Sequence, residues 1–389
     1  MHRGPLASLV AALAAAAAPA QTVTVTSTGQ GPFPLSAGAW GASELSGIAW
    51  AGDDRFVAVG DGGTSNLWRL TVSIDATSGR ILSAAVTGST VVIGLGADVE
   101  GVAFLDAAGR VLAADEGSTA VRGFDPETGD PRGQLELPRC FVPSNVRGNF
   151  GLESLGSRDG RAWTANEEAL LSDGPASTTA SGCVVRLQRF GRDGRPDGQW
   201  AYRTEPISAM TSLVDVERSG VVDLAPVDAR TVLVLEREFG GAFIPDFCSR
   251  IYLARVDGAT DVSAMPSLAA GGFVPVRKAL LWEGNFGFAN FEGMALGPRL
   301  SDGCTSLVLV SDDGGGAGGQ VQRLLALRAC LPPPCGADLD EDGAVSGADL
   351  AALLASWGPT GGRSDLDGDG SVGGADLALL LSVWGACPG

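Results

Sequence analysis

The 389-residue chain carries 27 Lys and Arg against 45 Asp and Glu, a formal net charge of −18, and its single histidine is His2. Without an internal imidazole the chain lacks the parts for Ser-His-Asp or Cys-His catalysis and for zinc sites with histidine ligands. The acidity argues against binding to nucleic acid or anionic membranes and favours metal cations.

Residues 1–20 have the pattern of a secretory signal peptide. His2 and Arg3 form a charged start, an apolar stretch follows over 6–18, and residues 18–20 fit an A-x-A cleavage site. This stretch is shorter than the ~20 residues that cross a bilayer, and no other segment is long and apolar enough. We therefore expect an exported protein, secreted or held in the periplasm or at the cell surface, with no membrane span.

Export permits disulfide bonds, and seven cysteines leave at least one thiol unpaired. Cys304 and Cys330 flank a predicted hairpin, and Cys335 and Cys387 bracket a C-terminal module, so we expect these two bridges. One further bridge and one free thiol are expected among the other three, which are Cys140, Cys183 and Cys248.

Residues 21–330 have the pattern of an all-β domain built from repeats. Short apolar runs alternate with Gly, Asp and Pro turns, and five segments share a strand, a turn and a second strand. These segments are 45–63, 99–118, 152–170, 221–239 and 291–315. Outer strands lie between them, which predicts a β-propeller of five blades, or six if one spacing holds an irregular blade. The last blade lacks a fourth strand, and residues 22–28 are predicted to supply it.

Each repeat carries acids in register. Six residues after the start of the second strand comes an acid, and these acids are Asp61, Glu116, Glu167, Glu236 and Asp312. The first strands carry an acid near their start at Glu100, Glu153, Asp223 and Glu292, while the first repeat has Ser46 there and Glu44 two residues earlier. In an antiparallel hairpin the start of one strand lies beside the end of the next, so the paired acids are expected to converge at one mouth of the channel.

Carboxylates gathered in this way raise each other's pKa unless cations or Arg compensate them. For an exported protein we expect bound calcium, with the channel metal ligands Asp61, Glu116, Glu167 and Asp312. The sequence leaves a purely structural alternative open, in which each acid accepts hydrogen bonds from turn amides.

An ordered set of motifs over residues 40–328 resembles the family called esterase-like activity of phytase. The motifs are "SELSGIAW", "DVEGVAFL", "FGLESL", "WTANEEALLSDGP", "LVLERE", "GATDVS", "EGMALGP" and "LVLVSDD". The resemblance implies a propeller and, from the family's name, phosphoester hydrolysis. Without histidine the available mechanism is metal-assisted, with calcium activating a water. The residues that we assign to the chemistry are Glu100, Glu153, Glu236, Glu292 and Arg237, and the candidate phosphate binders are Arg203, Arg237 and Lys278.

One observation favours a different function. Acids already outnumber bases within 21–335, so an anionic substrate would need several bound metals for charge balance. The alternative is a non-catalytic propeller that binds calcium, a sugar or another protein. A lactonase-type propeller with one calcium also fits the acids, but that type conventionally uses Asn and His near the metal.

After a proline-rich linker at 331–336, the segment 337–389 contains one unit twice. In a calcium loop, side chains at positions 1, 3, 5 and 12 and the carbonyl at position 7 supply oxygen ligands. In the first copy these residues are Asp338, Asp340, Asp342, Asp349 and Ala344. In the second copy they are Asp365, Asp367, Asp369, Asp376 and Ser371. An amphipathic helix follows each loop, and Val345 and Val372 are predicted to pair the loops through a short strand.

Asp at position 12, no helix before either loop and the tandem duplication resemble a small all-α, type I dockerin-like module. The resemblance implies calcium-dependent folding. It also implies a cohesin-like or cell-surface partner, contacted at Gly347-Ala348 and Gly374-Ala375.

Overall fold

The computed structural model describes residues 23–63, 65–96, 98–105, 109–208, 218–240, 246–331, 335–340, 344–359, 363–367 and 370–387. Two compact units divide the described chain, one spanning Val23–Leu331 and the other lying within Pro332–Gly389. The predicted signal peptide, linker residues 332–334 and two predicted calcium ligands, Asp342 and Asp369, lie outside the described residues.

The first unit is an all-β propeller with five blades, four of which have four strands, while the sheet of the fifth also includes a short extra strand, Phe33–Pro34. Two strands precede the first complete blade: β1 (Thr24–Ser27) and β2 (Phe33–Pro34). Blade one contains β3 (Leu45–Trp50), β4 (Arg55–Gly60), β5 (Asn66–Ile74) and β6 (Ile81–Val91). Blade two contains β7 (Val99–Leu105), β8 (Arg110–Asp115), β9 (Ala120–Phe124) and β10 (Pro131–Gln134).

The remaining blades follow in chain order. Blade three contains β11 (Leu152–Arg158), β12 (Arg161–Asn166), β13 (Val184–Phe190) and β14 (Pro196–Arg203). Blade four contains β15 (Arg218–Pro226), β16 (Thr231–Gly240), β17 (Asp246–Arg255) and β18 (Arg277–Asn285). Blade five contains β19 (Asn290–Arg299), β20 (Thr305–Asp312) and β21 (Arg323–Cys330), with β1 as its fourth strand.

The N-terminal strand closes the circle of blades. β1 pairs antiparallel with β21, with Val25 opposite Ala329, so the last blade joins strands from both ends of the unit. The predicted closure by residues 22–28 is thereby confirmed, and the count is five blades rather than six. This pairing joins the two ends of the unit within one blade and so fastens the circle of blades.

The innermost strands pack side by side around the centre in the order β3, β7, β11, β15, β19 and back to β3. Glycines permit this close approach. A Cβ added at Gly47 would lie 2.6 Å from the carbonyl oxygen of Glu100, and one at Gly293 would lie 2.7 Å from that of Ser46. A Cβ at Gly101 would lie 2.9 Å from the carbonyl oxygen of Glu153. Because glycine has no Cβ, the inner strands can lie this close together near their starts.

Two of the expected disulfide bonds are present, Cys304–Cys330 in blade five and Cys335–Cys387 in the C-terminal unit. The expectation of a third bridge is wrong, because Cys140, Cys183 and Cys248 are unpaired. Cys183 is buried in the core between blades three and four, whereas Cys140 packs against the core between blades two and three.

The C-terminal unit contains two short helices and a small sheet. β22 (Ala344–Val345) pairs with β23 (Gly385–Ala386), and the helices are α1 (Gly347–Ala355) and α2 (Gly374–Ser382). Its core includes Val345, Leu353, Val372 and Leu380. The predicted pairing of Val345 with Val372 is wrong, because Val345 pairs with Gly385 and Val372 with Gly358. Among the described residues no helix is long and apolar enough to cross a membrane.

Candidate metal centre at the start of the inner strands

The inner strand of every blade carries a bulge, at its second or third residue in four blades and at the fifth residue of β15 in blade four. The pairing register shifts by one residue between Leu45 and Gly47, and the other four blades repeat this shift. A bulge takes one residue out of the ladder and re-aims its side chain. The five residues in the bulges are Ser46, Glu100, Glu153, Val222 and Glu292.

The second strand of each blade supplies the neighbouring side chain. The residues opposite the bulged ends are Gly60, Asp115, Asn166, Glu236 and Ser311. One position further along are Asp61, Glu116, Glu167, Arg237 and Asp312. The three glutamates in the bulges and the four acids at this further position make seven acids. Together with Arg237 we call them the acid ring: Asp61, Glu100, Glu116, Glu153, Glu167, Glu292, Asp312 and Arg237.

Blade four breaks the predicted register by one residue on both strands. Glu236 pairs with Val221, the residue before the bulge, so the next position along β16 holds Arg237 instead of Glu236. The bulge in β15 likewise holds Val222 rather than Asp223. The structure therefore places Glu236 and Asp223 outside the acid ring and places a base, Arg237, within it.

Asp223 joins the inner strands of three blades. Its buried carboxylate accepts hydrogen bonds from the backbone N–H groups of Leu155 at 3.2 Å, Leu224 at 2.8 Å and Met294 at 2.6 Å. Leu155 lies on β11 and Met294 on β19, so the side chain connects blade three to blade five through blade four. Its role in the described contacts is structural.

Glu236 lies in a separate polar cluster. It accepts hydrogen bonds from the Tyr202 hydroxyl at 2.5 Å, from Lys278 Nζ at 2.8 Å and from the backbone N–H of Glu205 at 3.0 Å. Lys278 also contacts the Glu205 carboxylate at 2.9 Å, so this predicted phosphate binder is already paired. Arg203, another predicted phosphate binder, is exposed at the end of β14.

Arg237 links two acids of the ring. Its Nη2 lies 2.9 Å from Glu167 Oε1 and 3.4 Å from Glu292 Oε1. Asn290 supports the same side, since its Nδ2 donates to Glu292 Oε1 at 2.8 Å and to Asp312 Oδ2 at 3.4 Å. This side of the acid ring is held by charge-assisted and amide hydrogen bonds.

The other side holds a cluster of three acids. One carboxylate oxygen each from Asp98, Glu100 and Glu116 lies within 4.8 Å of the others. Glu116 Oε1 accepts a hydrogen bond from the Gly151 backbone N–H, but its buried Oε2 has no hydrogen-bond partner. Sequence reasoning missed Asp98 because it precedes β7, although its offset of two residues from Glu100 matches that of Glu44 from Ser46.

Burial makes ionisation of these acids costly. It raises the pKa of Glu100 and Glu153 well above the usual glutamate range, and neighbouring carboxylates raise it further. The same causes raise the pKa of Asp61 and Glu116 to about 7. Burial raises the pKa of Glu292 to about 8 despite the opposing charge of Arg237. Near neutral pH the acid ring must therefore bind protons or another cation.

The C-terminal unit gathers its acids differently. Carboxylate oxygens of Asp338, Asp340 and Asp349 lie within 4.8 Å of one another, as do those of Asp365, Asp367 and Asp376. Asp349 accepts hydrogen bonds from the backbone N–H groups of Leu339 (2.6 Å), Asp340 (3.1 Å) and Ser346 (2.7 Å). Asp376 accepts the equivalent bonds from Leu366 (2.6 Å), Asp367 (3.2 Å) and Gly373 (2.6 Å). Ala344 begins β22, and Ser371 directly precedes Val372.

The fold and the site geometry together define the class of this protein. It is a five-bladed β-propeller with a cluster of acids near the start of its inner strands. The chain belongs to the Phytase-like family, whose model, described as esterase-like activity of phytase, matches residues 40–315. No curated protein sequence matches the chain.

Several solved structures are similar in fold at low identity. The PQQ-bound aldose sugar dehydrogenase from Streptomyces coelicolor is 14% identical, with 80% of this chain and 99% of that chain covered and a TM-score of 0.36. A gluconolactonase from Xanthomonas campestris is 13% identical, with 81% and 99% covered and a TM-score of 0.34. A member of the DUF4221 family from Bacteroides vulgatus is 8% identical, with 79% and 99% covered and a TM-score of 0.38.

Proposed function

We propose that the propeller is a calcium-dependent phosphoester hydrolase, and that the C-terminal unit is a calcium-stabilised, dockerin-like anchoring module of an exported protein. The observation that carries the first part is the cluster of Asp98, Glu100 and Glu116, with the buried, unpartnered Oε2 of Glu116. The family's description supplies the reaction class.

The donor set of this cluster fits calcium. All three side chains offer hard carboxylate oxygens, and calcium takes six to eight such ligands, with water and substrate filling the remaining positions. A buried acceptor without a donor costs free energy, which a bound cation would recover at Glu116 Oε2. Transition metals that prefer nitrogen or sulfur ligands would find neither type of donor in this cluster.

The ring residues have distinct roles in this proposal. Bound calcium would polarise a phosphoryl oxygen and lower the pKa of an attacking water. Glu153 and Glu292, whose pKa values burial raises, are the groups that we assign to accept or hold a proton near neutral pH. Arg237 orients Glu167 and Glu292 rather than binding phosphate, since both carboxylates already engage it. Glu236, paired with Tyr202 and Lys278, leaves the set of catalytic candidates.

A base at the edge of this site fits an anionic substrate group. Arg218 Nη1 lies 3.1 Å from Glu168 Oε1, and its guanidinium lies 4.2 Å from the centre of the Phe150 ring. The Arg218 side chain remains 44% exposed, so part of its donor capacity faces solvent. We assign Arg218 to substrate binding, a role that the sequence did not indicate.

Calcium-dependent release of phosphate from phytate and from simple phosphomonoesters tests the proposal on the full chain. Glu116→Gln keeps the side-chain volume and removes the charge, so hydrolysis should fall to background. Glu127→Gln, at an exposed turn of blade two, is the matched control and should retain wild-type rates. Hydrolysis that persists without calcium or in Glu116→Gln would contradict the assignment.

The surplus of acids favours a second candidate function. Within the acid ring Arg237 is the single base, and it is held by Glu167 and Glu292. A non-catalytic propeller that binds calcium, a sugar or another protein would need no further positive charge. Calcium binding at Glu116 together with no turnover of any phosphoester would favour this candidate.

Two features of the C-terminal unit support the anchoring role. Each position-12 aspartate closes its loop on three backbone N–H groups, which arranges the loop around the carboxylates. Trp357 and Trp384, at equivalent places in the two copies, are 49% and 50% exposed and offer a surface to a cohesin-like or cell-surface partner. Loss of native circular dichroism in chelator plus reductant, but not in reductant with calcium, is the expected result.

A further inference from the structure

Blade four replaces an acid of the ring by a base. Arg237 occupies the position held by Asp61, Glu116, Glu167 and Asp312 in the other blades. The bulge of the same blade holds buried Val222, where three other blades hold a glutamate. Blade four therefore contributes no carboxylate to the ring and one guanidinium.

The Arg237 guanidinium lies between two carboxylates and carries a positive charge, as a bound cation would. Its side chain is only 14% exposed, and Nη2 lies between a carboxylate of blade three and one of blade five, 2.9 Å from Glu167 and 3.4 Å from Glu292. Its positive charge opposes the rise in pKa of Glu167, Glu292 and Asp312. Unlike a metal ion, a covalently attached guanidinium remains in place at any calcium concentration.

The opposite side has no such compensation. Across the part of the chain that the structure describes, no Arg or Lys pairs with Asp98, Glu100 or Glu116. The one donor that Glu116 receives is the neutral Gly151 N–H, and its buried Oε2 receives none. The buried Oε2 of Glu167 on the guanidinium side also lacks a hydrogen-bond partner, so the two sides differ in their ion pairing and not in unsatisfied acceptors. The acid ring thus consists of one side with a resident cation and one side without.

We infer that Arg237 is a built-in counter-cation that closes the Glu167–Glu292 side of the acid ring to metal and confines calcium to a single site at Asp98, Glu100 and Glu116. This inference rests on the calcium binding of the proposed function but not on hydrolysis. Arg237 is on this account a positioning residue that sets how many cations the propeller takes.

Equilibrium dialysis with radioactive calcium on the full chain tests the inference by counting bound ions. The two C-terminal loops contribute equally in every variant, so only differences between variants matter. Arg237→Gln, measured at pH 9 so that the ring acids can ionise, should bind one calcium ion more than the wild type. Arg237→Lys keeps a tethered positive charge and should bind the wild-type number. An unchanged count in Arg237→Gln would overturn the inference.

A second pair of variants covers the case in which Arg237→Gln fails to fold. Glu116→Gln should bind one calcium ion fewer than the wild type, because it removes a ligand. Glu292→Gln removes the same charge on the guanidinium side and should keep the wild-type number. Loss of an ion in Glu292→Gln would make Glu292 a ligand and overturn the inference, whereas no loss in Glu116→Gln would instead refute the proposed calcium site.

Discussion

The acid ring and the C-terminal loops both concentrate carboxylates, but they shift the pKa of those carboxylates in opposite directions. Backbone N–H donors, three for each side chain, hold the pKa of Asp376 below the usual aspartate range and outweigh the effect of burial at Asp349. Burial and neighbouring carboxylates instead raise the pKa of Glu100 and Glu153. Asp349 and Asp376 are therefore ionised before a cation arrives, and much of the ring is not.

The difference follows from where the backbone donors are. A calcium loop turns within a few residues, so amides that no strand or helix uses point at one carboxylate. The ring collects side chains from several blades, whose inner backbone amides are mostly paired in β-ladders. Asp223 shows that donors alone do not decide the pKa: three backbone N–H groups bind it, yet burial deep in the propeller still raises its pKa well above the aspartate range.

Removing the Asp223 carboxylate should produce the largest effect on stability. Asp223→Ala leaves three buried backbone N–H groups without an acceptor, at a cost of about 1–3 kcal/mol each. Urea unfolding of the full chain measures the loss. Asp223→Asn keeps one acceptor oxygen and should lose much less, while equal losses in both variants would assign the effect to charge rather than to hydrogen bonding.

Asp349→Asn should break one loop without touching the propeller. The two carboxylate oxygens of Asp349 accept three hydrogen bonds from backbone N–H groups. The substitution removes the charge of this ligand and replaces one of the two oxygens by an amide N–H₂, which cannot accept. We expect calcium affinity of that loop to fall by about 100-fold or more, as measured by calorimetry. Asp54→Asn, in an exposed turn of blade one, is the control. A fall in the affinity of the propeller site would contradict the independence of the two regions.

The sequence predicts much of this arrangement because the signals are local. Strand–turn–strand periodicity and the spacing within each hairpin locate the blades and the acids of blades two, three and five. The sequence does not show that Arg237 takes the ring position predicted for Glu236. Neither the pairing of Glu236 with Val221 nor the bulge at Val222 has a sequence signature. The ion pair between Arg237 and Glu167 joins residues 70 apart, so only the folded ring of blades brings them together.

Lowering the pH should separate the two kinds of proposed calcium site. The pKa of Glu116, a ligand of the proposed ring site, is raised to about 7, and that of Glu100 is raised well above the usual glutamate range, so protons compete with calcium there as the pH falls through neutrality. Affinity there should drop by about tenfold per pH unit for each proton displaced. The loops, whose position-12 acids have lowered pKa values, should keep their affinity to a lower pH than the ring does. Calorimetry in buffers of different ionisation enthalpy measures the released protons, and a ring affinity independent of pH would contradict the comparison.

The smallest expected effect is on the stability of the calcium-free protein. A glutamate whose pKa is raised on folding stabilises the folded state at low pH, and this contribution is lost as the pH rises from its unfolded value of 4.5 to its folded value, about 8 for Glu292. The Tm of the chelated full chain should therefore fall by several degrees between pH 6 and pH 9, on a scale of about 2–4 °C for each kcal/mol lost. Added calcium should remove only the part of this fall that Glu100 and Glu116 contribute, because it replaces the protons displaced from its own ligands. In Glu292→Gln the fall should be smaller, and a Tm that does not fall with pH in chelator would show that the ring acids are already ionised in the free protein.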